Sequence, residues 1–166
     1  MKDLLDDIIR VTAERDAFFS SPHVPATPGP PAVPGDLAAL QAYWGQPLPP
    51  SYREALEVYD GIQAFWVGAP LLSAKGLVDG EEEAEGFEEP FPALWQSVVI
   101  RDDDSYDAIA LDLSARGDDD EAEVVQLSVD GEERRWPTFR AFLESLLDDT
   151  TKERDRERTD RANLED

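Results

Sequence analysis

Residues 48–61, Leu-Pro-Pro-Ser-Tyr-Arg-Glu-Ala-Leu-Glu-Val-Tyr-Asp-Gly, spell out a complete short helix with both ends marked, and the rest of the chain must supply something for it to pack against. Pro49 and Pro50 suit an entry and first turn, where a missing N–H costs nothing. Ser51, with Glu54 three residues later, has the spacing of a capping box. The two signals place the start a residue or two apart. Tyr52, Ala55, Leu56 and Tyr59 fall at i, i+3, i+4 and i+7, which makes a single stripe to bury. Gly61 can take the left-handed conformation that stops a helix.

On either side the pattern is equally segmented. Leu4, Leu5, Ile8 and Thr12, flanked by Val11 and Phe18, predict a helix over 3–19. A lone helix of that length is marginal in water, so it should dock on its own domain. Six prolines between 20 and 35 exclude helix and central strand and predict an extended linker. Its PxxP spacings also suit a proline-reading module, with a plain spacer the simpler reading. Asp36 is placed to cap a helix over 37–44, in which Leu37, Leu40, Gln41 and Trp44 share a face and Gly45 is the stop.

From Ile62 the period changes to two. Segments 63–67 and 70–73 predict short strands around Gly68, and 75–89 an acidic loop or helical turn. Residues 91–95 read as an apolar anchor for that loop. Strands are expected from 98, over 106–113 and over 124–129, with turns at 101–105, 116–120 and Asp130-Gly131. In the strand over 106–113, Tyr106, Ala108, Ala110 and Asp112 share one side, with Ile109, Leu111 and Leu113 opposite. Arg134, Arg135 and Trp136 close the sheet. Pro137 is placed to open a final helix lined by Phe139, Phe142, Leu143, Leu146 and Leu147. Beyond Thr150 the chain is charged and poor in apolar residues, a solvated helical extension or a disordered one. The expected organisation is a helix at 1–19, a Pro-rich linker at 20–35, an α+β domain at 36–149 and a charged tail at 150–166. The domain is an antiparallel β-meander of four to six strands covered by N-terminal and C-terminal helices.

Charge and composition narrow the function. The net charge is −23 and there is no cysteine, which removes thiolate metal sites and thiol nucleophiles and suits a reducing compartment. Residues 79–130 hold eighteen acidic residues against two arginines. That field repels nucleic acid and anionic membrane, serves solubility, and attracts basic partners. The acidic, amphipathic N-terminus has no long apolar run, so neither signal peptide nor membrane span is expected. No catalytic residue, cofactor or metal ligand is assigned. The one histidine, His23, lies in the linker, the aspartate triplets read as solvated turns, and no P-loop, EF-hand, GxSxG or HExxH is present.

Residues 48–61 resemble the LP-x-x-[YF]-x-x-[FL]-L-x-x-x-N-G signature of the SUKH superfamily, whose members include cell-wall-assembly-regulator-like proteins and bacterial toxin-immunity proteins. Residues 106–114 look like its [YF]-x-x-[LI]-x-[LF]-D strand, 124–129 like the strand that follows, and 136–143 like its W-x-x-S-F-x-x-[FL]-[LI] closing helix. Ala55 stands where a large apolar residue is common, which leaves space for another side chain such as Trp44, and Asp60 stands where Asn is common.

The resemblance implies a cytoplasmic, non-enzymatic binding protein. Its usual role would be to neutralise a protein toxin of a polymorphic toxin system, basic and of nuclease type, with no direct contact to nucleic acid. A general regulatory scaffold of the same superfamily is the alternative, and deleting residues 1–35 should separate the two by sparing or abolishing binding. Candidate contacts are Glu81, Glu82, Glu83, Glu88, Glu89, Asp102, Asp103, Asp104, Asp118, Asp119 and Asp120, with Trp66 and Trp95 as aromatic candidates that read as core first and contact second. Such carboxylates would steer a cationic partner and accept charge-assisted hydrogen bonds from it.

Overall fold

The computed structural model describes residues 1–19, 24–66, 68–80, 95–100, 107–128 and 131–164. Five helices are seen among them: α1 (Lys2–Asp16), α2 (Pro34–Trp44), α3 (Pro50–Val58), α4 (Ala74–Asp79) and α5 (Phe139–Leu164). The strands are β1 (Thr27–Pro28), β2 (Ile62–Trp66), β3 (Ala69–Leu71), β4 (Trp95–Ile100), β5 (Ala108–Arg116), β6 (Ala122–Ser128) and β7 (Gly131–Trp136). They form one sheet in the order β1 to β7, and every neighbouring pair is antiparallel. The α+β meander expected from the sequence is therefore present.

The seventh strand comes from the proline segment. Thr27 pairs with Gln63 and Pro28 with Ile62. Gly29 N–H donates to the Gly61 carbonyl at 2.8 Å, Asp60 N–H to the Pro30 carbonyl at 2.7 Å, and Ala32 N–H to the Leu56 carbonyl at 2.9 Å. Proline is excluded from the middle of a sheet, but at an edge it needs to donate nothing outward. The segment lies so close that a Cβ on Gly29 would stand 2.5 Å from the Asp60 carbonyl oxygen.

The core sits between the sheet and the helices. Ile109, Leu111 and Leu113 of β5 and Val124 of β6 pack with Leu40, Tyr52, Leu56, Phe139 and Leu143. Aromatic rings join the layers: Trp44 stacks on Tyr52 at 5.7 Å, and Tyr52 meets Phe139 edge-on at 5.1 Å. Burial of such side chains contributes about 1.5–3 kcal/mol each. On the other face of the sheet, Ala110, Val125 and Leu127 form a small second cluster with Trp95.

The helix at the N-terminus docks on its own chain, as expected: α1 packs along α5 and buries Leu5, Ile8, Val11 and Thr12. Past Thr150, α5 remains helical to Leu164 and crosses to α1 through Arg154–Glu14 at 2.8 Å and Arg15–Glu153 at 3.2 Å. The extension is thus an ordered helix with partners.

Local capping differs from expectation in three places. Asp36 does not cap α2, which starts at Pro34 behind Val33. Pro137 precedes α5, and it is the Thr138 hydroxyl that accepts from Ala141 N–H at 3.0 Å. The Ser51–Glu54 capping box does not form. Residues 91–94 of the expected apolar anchor, the turn at 101–105 and Asp130 lie outside the described residues.

Candidate protein-binding surface

The clearest acidic surface grows out of the missing capping box. Pro50 has no N–H, so the first donor at the start of α3 is the Ser51 amide. It donates to Glu121 Oε1 at 2.8 Å, and the Ser51 hydroxyl donates to Glu121 Oε2 at 2.8 Å. A carboxylate seventy residues away therefore caps the helix, at the end where the backbone dipole favours negative charge. Glu121 is 9 % exposed. The Ser51 oxygen also accepts from the Arg140 amide of α5 at 3.3 Å. Ser51 is thus a three-way junction between α3, α5 and the turn that joins β5 to β6.

That turn carries Asp118, Asp119 and Asp120, all exposed. Gly117 N–H donates to the Glu121 carbonyl and Asp120 N–H to the Gly117 carbonyl, each at 3.0 Å. Asp120 has a left-handed φ of 63°, a conformation that Asp tolerates better than most residues. Arg116 donates through Nη1 to the Asp120 carbonyl at 2.9 Å and through Nη2 to the Pro47 carbonyl. The three aspartates therefore stand on a turn fixed at both ends, one to α3 and the other to the α2–α3 connection. Holding a charged turn in one shape lowers the ordering cost of binding.

The other sequence candidates are placed as follows. Trp66 is half-buried against the main core. Trp95 packs on the second cluster, with the Arg135 guanidinium 5.6 Å above its ring. Arg135 also pairs with Asp112 at 3.0 Å and Glu123 at 2.6 Å. Burial opposes charge on Asp112, but hydrogen bonds from Ser114 and the Arg135 pair outweigh it and hold the carboxyl below its usual range. Glu81, Glu82, Glu83, Glu88, Glu89, Asp102, Asp103 and Asp104 lie outside the described residues, as does His23.

Sequence reasoning missed Ser51, Arg116 and Glu121 as the groups that hold the acidic turn. The available signal was Glu121 itself, an acid directly after an aspartate run and next to the buried Ala122. A cleft of about 620 Å³ lies between β1, β2 and β3 and is lined by Thr27, Asp60, Gln63 and Ser73 among others. Burial raises the Asp60 carboxyl, although the Ala74 amide donates to it at 2.6 Å. Among the described residues no group of three or more His, Cys, Asp or Glu side chains could hold a metal, and no helix is long and apolar enough to cross a membrane.

The family model described as SMI1 / KNR4 family (SUKH-1) covers residues 31–145, more than half of the chain. No curated protein matches.

Proposed function

Because the chain belongs to the SMI1 / KNR4 family (SUKH-1), we propose that it is a cytoplasmic immunity protein, without enzymatic activity, that binds and neutralises a basic protein toxin of nuclease type. The observation that carries this reading is the exposed aspartate turn at 118–120, fixed by the Glu121–Ser51 and Arg116–Pro47 contacts. A nuclease presents a cationic cleft to its substrate. A rigid negative turn can steer toward that cleft, accept hydrogen bonds from its Lys and Arg, and block it without performing a reaction.

The test begins with recovery of the native partner from the cells that make this chain. The partner produced alone should arrest growth, and co-production of this chain should restore it. Replacing Asp118, Asp119 and Asp120 by Lys should slow association by about tenfold or more at low salt, with the difference narrowing as salt rises. A partner that is harmless on its own, or association indifferent to the charge reversal at every salt, overturns the reading. Deleting residues 1–35 is not a clean way to distinguish an immunity domain from a scaffold. It would strip α1 from α5 and β1 from β2, and so expose core. Replacing the exposed Pro25 and Pro31 by Ala asks the same question without that damage: binding driven by the proline arm would weaken, and binding through the acidic turn would not.

A further inference from the structure

A surface helix normally carries charge on the side it turns to water, and α2 does not. Its inner side, Leu37, Leu40 and Trp44, is buried. Gln41, expected on that inner face, is exposed at its margin instead; the outer side consists of Ala38, Ala39, Ala42 and Tyr43, all exposed, and the helix's one charged residue is Asp36 in the first turn. Tyr43 is 62 % exposed, and Val33, which precedes the helix, 55 %. This neutral ledge occurs in a chain that is 32 % charged overall. The next helix, α3, turns Arg53, Glu54 and Glu57 outward.

The ledge leads into a connection that holds the acidic turn. Gly45 ends α2 in the left-handed conformation, and two residues later the Pro47 carbonyl takes its hydrogen bond from Arg116, which also holds Asp120. The aspartate turn is therefore fastened to the connection that leaves the C-terminal end of the ledge. No basic residue lies in the last turn of α2, so the negative end of its backbone dipole adds to the same field.

We propose that the outer side of α2 is a docking surface for a basic protein whose contact patch has an apolar pocket bordered by Lys or Arg, with Tyr43 as the anchor that enters the pocket. Tyr is among the residues that dominate interface energetics, because it brings a large rigid apolar body with a polar tip. The aspartates, tied to the connection that follows the helix, choose the sign of the partner's rim. A second copy of this chain is disfavoured, since two such faces would bring like charges together. The inference rests on the proposed reading of the chain as a binder of a basic partner and assigns that reading its anchor.

The experiment places the photoreactive residue p-benzoylphenylalanine at position 43 of the full chain in the cells that make it, with the exposed Glu144 of α5 as the control position. The expected result is an adduct at 43, absent at 144, to a basic protein whose crosslinked segment holds Lys or Arg beside apolar residues. With that protein purified, Tyr43→Ala should weaken binding about 30-fold or more, and Tyr43→Phe should retain most of it. An adduct to a second copy, an adduct to an acidic protein, no adduct above the control, or unchanged affinity for Tyr43→Ala each overturns the proposal. The two readings fail separately. A non-toxic partner bound through Tyr43 removes the immunity role and leaves the surface. A neutralised toxin indifferent to Tyr43→Ala removes the surface and leaves the immunity role.

Discussion

The neighbouring helices α2 and α3 cover the same sheet and meet through a five-residue connection, yet they treat water differently. In α3 the stripe of Tyr52, Ala55 and Leu56 is buried, while Arg53, Glu54 and Glu57 face outward, and Arg53 pairs with Glu57 at 2.9 Å. The chain's own core accounts for that helix: its stripe packs with α2, α5 and the sheet. In α2 the inner side is just as well buried, but the outer side, with Ala38, Ala39, Ala42 and Tyr43 exposed beside Gln41, is uncharged and largely apolar too. Folding requires a single apolar side in each helix, so the second one on α2 is surplus to the fold. The comparison separates residues that hold the structure together from residues that remain available for another molecule.

The pair Tyr52 and Tyr43 sharpens this most. Tyr52 is fully buried between Trp44 and Phe139. Tyr52→Ala should cost about 3–5 kcal/mol in denaturant unfolding. Tyr43→Ala should stay within about 0.5 kcal/mol of the parent, as surface changes do. Comparable losses at both positions would mean that α2 needs its outer side to fold. The next effect is at the junction: Ser51→Ala leaves Glu121 with one donor fewer in a buried site and should cost about 1–3 kcal/mol. It should also loosen the aspartate turn, read as faster amide exchange at 117–121. A smaller effect of opposite sign is expected for Tyr52→Phe. The Tyr52 hydroxyl is buried with no hydrogen-bond partner, so removing it should be neutral or stabilising by up to about 1 kcal/mol.

The smallest effects are in the acid limb. Asp112, with its carboxyl lowered, contributes stability that is present above the ordinary value of 3.8 and lost as pH falls through its depressed one. Asp60, raised by burial, has the opposite sign: its ionised form costs stability at neutral pH, and the cost fades as pH falls through the raised value toward 3.8. Asp60→Asn should therefore be more stable than the parent at neutral pH while keeping an acceptor for the Ala74 amide, with the gap closing on acidification. Asp112→Asn should be less stable at neutral pH, and its gap should also close. Parallel stability–pH curves for parent and variant at either site would contradict the assignment.

What was legible in the sequence is what local spacing controls. The stripe of α3, the alternation of Ile109, Leu111 and Leu113 against Ala108, Ala110 and Asp112, and the inner face of α5 all follow from the period of the backbone. Gly61 also keeps its left-handed φ, 86°, although α3 ends earlier, at Val58. The capping box failed because Ser51 had a competitor that no local window contains: Glu121 reaches it across the fold and takes both the amide and the hydroxyl. Edge strand β1 was hidden for a related reason, since prolines give a linker and an edge strand the same local signature. Of the candidate site, the aspartates were visible as a charge run, but their fastening by Arg116 and Glu121 was not. Tyr43 gave no local signal because it lies off the Leu37–Leu40–Trp44 spacing that marks the folding side of α2.

The close approach at Gly29 has a consequence for how molecules of this protein coexist. Sheets of this length tend to recruit strands from neighbours at any open margin. Here the margin beside β2 is finished by Pro28, with Pro30 and Pro31 following, and a proline offers no amide to a newcomer. One added methyl at position 29 would prise that border away from Asp60 and bare the ladder beneath. The predicted cost would appear less as lost folding than as turbidity in concentrated solution.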